Sequence, residues 1–196
     1  MKESLDNMMH RKIETETSEK WEKAKIGIGK QDDTKVSKEQ IKGELISELG
    51  SLLHEEWRSP RKKEDGSFDP RIKKTKDENW VKSHNTEEVD IANTEYKDLP
   101  EDWKGENKAS AEVTVDEIYK AIDSEKELDS SFIEEASDVL HQEWMKRKTK
   151  EGYNENDENW NWAKPLMVDY NKLPNEEKGK DRVIIRKGIE IYNKKI

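Results

Sequence analysis

Apolar positions recur at helical spacing in four stretches of the chain. Ile41, Leu45, Leu49, Leu52 and Leu53 follow one another at three-to-four-residue intervals up to Trp57, and Ser37 with Gln40 makes a capping pair in front of them. The stripe returns as Phe132, Ala136, Val139, Leu140 and Trp144, with Ser131 and Glu134 standing as a second capping pair. Two more stripes follow Leu-Pro steps. After Leu99-Pro100 the apolar set is Ala111, Val115, Ile118, Tyr119 and Ile122; after Leu173-Pro174 it is Ile185, Ile189, Tyr192 and Ile196, with Ile184, Gly188 and Ile191 alongside. Pro60 and Gly152 read as the stops of the two opening helices. Between opening and closing helix runs a long polar connection that carries aromatics, and only "VDIAN" (89–93) and "LMVDY" (166–170) qualify there as strands. The predicted fold is mainly α with minor β.

These elements recur in one order. LLHEEW, KDENW, YKDLPE and VDEIY in the first half answer to VLHQEW, NDENW, YNKLPN and GIEIY in the second. Pro100 to Tyr119 is nineteen residues and Pro174 to Tyr192 eighteen, whereas the middle intervals vary, as fixed elements joined by elastic loops would. The expected organisation is an N-terminal arm and linker over 1–35, a first repeat over 36–126 and a second over 127–196. The arm has helical composition and a weak stripe (Leu5, Met8, Met9, Ile13) before the linker-like "IGIGKQDDTK". It reads as a docked helix, as an arm holding a second subunit in a homo-oligomer, or as a tail.

Composition narrows the function classes. Of 196 residues, 42% are charged and 30% hydrophobic, yet the net charge is only −9 and there are seven tryptophans, which fits small folded units with thin cores rather than a solvated coil. No cysteine is present, so disulfides, thiolate metal sites and a cysteine nucleophile are excluded. No apolar run approaches membrane-spanning length, and a cytoplasmic protein is expected. Residues 87–143 hold nineteen acids against five bases; such a belt repels a phosphate backbone, so duplex nucleic acid is not expected as a partner.

The second half resembles the ryanodine-receptor repeat, the RyR domain, in His141, Trp144, Arg147, Gly152, Pro165, Leu166, Val168, Tyr170, Leu173, Glu176, Glu177, Lys178, Asp181 and Arg182. The first half keeps His54, Trp57, Arg58, Tyr96, Leu99 and Pro100 but has Glu106-Asn107 in place of Asp181-Arg182. It is similar to the soluble bacterial and phage members. The resemblance implies tandem helix, strand-and-loop, helix units with a pseudo-twofold relation. It does not imply a channel. Its sharpest functional form is a phage or mobile-element protein that sequesters a nucleotide-derived host immune signal.

The residues themselves are read as follows. His54 and His141 lie one helical turn before Trp57 and Trp144, without the second histidine or the acid–nucleophile order that zinc or triad chemistry requires, so these four are read as structural. Trp80, Trp160 and Trp162 sit in polar loops, where they either fold over thin cores or stack a base. Tyr96 and Tyr170 either close the core or point a hydroxyl into the same cleft. Arg147 and Arg182 are the candidate anion partners. One pocket at the meeting of the loops, lined by Trp80, Tyr96, Trp160, Trp162, Tyr170 and Arg182, is the expected ligand site. The expectation is a non-enzymatic protein with no catalytic residue, no metal and no cofactor, binding a small nucleotide-type molecule. The alternative is a protein-interaction scaffold that uses its acidic belt and its arm.

Overall fold

The structure, a computed structural model, describes residues 37–195; the predicted arm and linker over 1–35 lie outside the described residues. Four long helices carry the fold: α1 (Lys38–Arg58), α3 (Glu101–Asp123), α4 (Ser130–Lys150) and α5 (Asn175–Lys195). The connection from α1 to α3 holds β1 (Ile72–Lys74), α2 (Glu78–His84) and β2 (Glu88–Asp90), the two strands pairing antiparallel with Lys73 opposite Val89. From α4 to α5 the chain makes three 3-10 turns, Glu158–Trp160, Lys164–Leu166 and Tyr170–Lys172. The fold is thus mainly helical with a small two-stranded sheet.

The capping chemistry explains most helix boundaries. Ser37 accepts from Gln40 N and opens α1 as its sequence predicts. In the second half the expected Ser131 cap is replaced by Asp129, whose carboxylate accepts from Phe132 N at 2.9 Å. An aspartate is as good a cap as serine, and using it starts α4 two residues earlier than a Ser131 cap would. Gly152, at φ +94°, ends α4 where an L side chain would be strained. Of the two expected strands, "VDIAN" overlaps β2, whereas "LMVDY" forms no strand: Pro165 and the hydrogen bonds of Leu166 and Met167 back to Ala163 coil it into turns. β1 and α2 were not predicted. The seven-residue α2 is too short for an apolar stripe, and it is set by Asp77, which caps Asn79 N and Trp80 N with one oxygen and takes Glu101 N with the other.

One core runs through the helices. Leu45, Leu49 and Leu53 of α1 meet Ala111 and Val115 of α3 and Ile191 of α5. Phe132, Ile133, Ala136 and Leu140 of α4 meet Ile118 and Ala121 of α3 and Ile185 and Ile189 of α5. Ile184 and Tyr192 pack against both sets, so the boundary near 126 joins halves with interlocked cores. α5 and α3 approach closely at Gly188, where an added Cβ would run into Thr114 Cγ2 and stand 3.2 Å from Ile118 Cδ1.

Candidate functional site

Each half contains the same lock between its opening helix and its connection. His54 Nε2 donates to the Thr94 carbonyl at 3.0 Å, and His141 Nε2 donates to the Val168 carbonyl at 2.9 Å. Each ring lies 5.7 Å from the tryptophan three residues on, at an interplanar angle of 21° in both cases, and 6.2 Å from Tyr96 or Tyr170. The buried histidines therefore find partners in carbonyls of half-buried loop residues. Burial lowers His54 below the usual imidazole range, with the Thr94 bond pulling it part-way back. These contacts tie the opening helix of each half to its connection.

Beyond the lock the halves diverge. In the first, Arg61 lies 4.5 Å over the Trp57 ring, and Trp57, Trp80 and Trp103 pack around Val89, Ile91, Tyr96 and Leu99. Trp80 stacks on His84 at 4.0 Å and donates its indole N–H to the Asp98 carbonyl at 3.3 Å; Trp103 donates to the Lys74 carbonyl at 3.1 Å. The first half is plugged with rings. Counting from Leu99-Pro100 and Leu173-Pro174, the position of Trp103 is held in the second half by Glu177. Counting from the histidines, the position of Arg61 is held by Lys148, which is buried between Glu106 and Glu151 instead of covering a ring.

The consequence is a hollow of about 210 Å³ in the second half. His141, Trp144, Trp162, Leu166 and Leu173 form its apolar walls, and Glu177, Lys180 and Asp181 line it from α5. Trp144 and Trp162 meet edge to face at 6.3 Å and 69°, and Trp160 extends the ring surface by stacking on Trp162 at 6.1 Å. Trp162 is 57% exposed, a large apolar side chain left at the mouth. Lys180 bonds both carboxylate oxygens of Glu177 at 2.7 Å. Asp181, with its side chain only 20% exposed, finds nothing nearer among the described residues than His141 Nδ1 at 3.7 Å. Burial pushes its carboxyl up to about 6, with His141 opposing the shift.

The other expected site residues go elsewhere. Tyr170 is buried and donates its hydroxyl to Glu134 Oε2 at 3.2 Å, and Arg182 Nη2 donates to the same oxygen at 3.0 Å. Arg182 is thus neutralised by Glu134, which its guanidinium holds below the usual carboxylate range despite burial acting the other way. Arg147 turns toward Glu106, at 3.8 Å. Tyr96 lies over Gly50, where a Cβ would come within 2.7 Å of its Cζ, and borders a groove between α1 and α5 that also contains Lys97 and Lys187. Tyr170 borders another groove along α4, with Met145 and Met167. The rings expected around one pocket are therefore divided: Trp80 and Tyr96 belong to the plugged cluster, while Trp160 and Trp162 extend from the open hollow of the second half. Sequence reasoning passed over Glu177, Lys180 and Asp181 as site residues. The count from the Leu-Pro steps shifts the expected pairing of Glu106-Asn107 with Asp181-Arg182 by one, setting Asn107 against Asp181 and Lys108 against Arg182, and the signal was the exchange of Trp103 for Glu177 and of Asn107 for Asp181.

Fold and site together define, among the described residues, a helical protein with two matching histidine locks and an open, aromatic-walled hollow in its second half. No protein-family model matches the chain, and no curated protein does. Among the described residues no helix is long and apolar enough to cross a membrane, and no group of three metal-binding side chains occurs.

Proposed function

We propose that the chain is a tandem pair of RyR-like units, related by a pseudo-twofold, whose second unit binds a small nucleotide-type molecule without chemical turnover. The observation that carries this reading is the hollow beside Trp144 and Trp162, lined by Glu177 at the sequence position that Trp103 holds in the first half. An aromatic surface of this kind stacks a base for about 1–3 kcal/mol, and Asp181 and Lys180 supply polar contacts at its edge. The first unit then serves as scaffold and the second as receptor, and capture of a nucleotide-derived signal is the biological form of the activity.

The scaffold alternative draws less from this structure, because many acids of the 87–143 belt are occupied within the chain. Asp116 pairs with Lys42, Asp123 with Lys38, Glu106 with Lys148 and Glu134 with Arg182. A belt so neutralised offers a partner little field. The test is a thermal-unfolding panel of mono- and cyclic dinucleotides and ADP-ribose-like compounds on the full chain. Ligands that raise Tm in the wild type and not in Trp144→Ala support the reading; no shift across the panel overturns it.

A further inference from the structure

This inference rests on the reading of the hollow as a nucleotide-type pocket and concerns which base it takes. The polar lining is unevenly satisfied. Lys180 and Glu177 neutralise each other, so neither calls for a charged partner. His141 spends its Nε2–H on the Val168 carbonyl. Asp181 remains, a largely buried carboxylate with two acceptor oxygens and no donor within hydrogen-bond distance among the described residues. A carboxylate whose side chain is only 20% exposed is poorly hydrated, and a donor brought by the ligand gains what the protein alone forgoes.

We propose that the hollow selects guanine, stacked on Trp162 with an edge against Trp144, with the adjacent N1–H and 2-amino donors of its base-pairing edge placed on the Asp181 carboxylate. Among the bases this edge alone offers two neighbouring donors, which match the two oxygens as a guanidinium fork does. Adenine sets a ring-nitrogen acceptor beside its amino group and cytosine does the same, so a carboxylate meets a lone pair. Uracil has a single N–H between two carbonyls. Hypoxanthine keeps N1–H and lacks the amino group, and it falls between guanine and adenine. Rejection through an unmatched buried polar group is stronger than rejection by shape, which is why one aspartate suffices. The first half has other chemistry at these sequence positions: Trp103 answers to Glu177, and Asn107, a mixed donor and acceptor, answers to Asp181.

Isothermal titration of the full chain with 5′-GMP, 5′-IMP and 5′-AMP at neutral pH tests it. GMP should bind at least about tenfold more tightly than AMP, with IMP between. Asp181→Asn should abolish the preference. Trp162→Ala, at an exposed ring that the fold does not need, should weaken all three by a similar factor and keep their order; circular dichroism melts verify that both variants fold. AMP binding as tightly as GMP, with both lost in Trp162→Ala, would overturn guanine selection while leaving the pocket reading in place. Retention of the GMP preference in Asp181→Asn would overturn it as well. If none of the three nucleotides binds, or if Trp162→Ala changes nothing, both the selection and the pocket reading fall.

Discussion

Asp181 Oδ2 and His141 Nδ1 face each other 3.7 Å apart at the wall of the hollow, near enough to feel each other's charge and too far for a hydrogen bond. The pairing has no counterpart in the first half, where residue 107 is asparagine, so whatever depends on this carboxylate belongs to the second half alone.

Stability should carry the imprint of that burial. Asp181 is raised from 3.8 to about 6, so folding takes up a proton between roughly pH 4 and 6. The penalty for burying the ionised form is present above this window and relieved below it. Asp181→Asn should therefore increase the unfolding free energy by about 1–3 kcal/mol near neutral pH, with the gain disappearing toward about pH 4. Urea melts of both proteins across that range measure it. A variant no more stable than wild type at neutral pH would mean that the carboxylate has a donor after all.

The histidine lock of the first half should respond in the opposite direction. With His54 depressed below 6.5 by burial, the unfolded chain binds its proton more readily, so this contribution to stability is intact above about pH 6.5 and lost as pH falls below it. His54→Ala leaves the Thr94 carbonyl unpaired and a gap beside Trp57 and Tyr96; it should destabilise by about 2–4 kcal/mol and flatten the acid limb of the stability profile. An unchanged acid limb would assign that slope to other groups.

Helices α3 and α5 pack closely at Gly188. Gly188→Ala forces a methyl against Thr114 and Ile118 and should lower stability by about 1–3 kcal/mol, although alanine is the better helix former in isolation. Gly43→Ala in α1, with nothing within 4 Å of the new carbon, should be neutral or stabilising. Paired thermal melts separate the two effects, and equal Tm values for the two variants would contradict the close crossing.

Arg182 provides a test of position against expectation. Held by Glu134 and joined through it to Tyr170, it should act on stability only. Arg182→Ala should cost about 0.5–1 kcal/mol and leave nucleotide affinity unchanged. A large loss of affinity would restore it to the ligand.

The hollow can also be closed by copying the first half. Glu177→Trp puts a ring where Trp103 sits and should abolish nucleotide binding while keeping or raising Tm. Undiminished binding would place the ligand outside the hollow.

The sequence shows a good part of this. Stripes such as Leu45, Leu49 and Leu53 disclose α1 because burial on one helical face leaves a period of 3.6, and the His-x-x-Trp spacing discloses the locks because both residues must share that face. The small elements were illegible. α2 depends on Asp77 reaching Glu101 N, a contact across 24 residues that no local pattern encodes. Trp80 and Trp162 look alike in sequence, each in a polar loop, and only their neighbours distinguish them: His84 and the Asp98 carbonyl hold the first, while the second stands at an open mouth. Arg182 drew attention as a free cation because its partner Glu134 lies 48 residues away.

α5 bears Asp181 near its beginning, carries Gly188 at its midpoint, and ends with Lys195 set between Glu44 and Glu48 of α1. One continuous helix thus spans both the wall of the hollow and the clasp of ion pairs that fastens its end to α1, so the two share a single rigid frame.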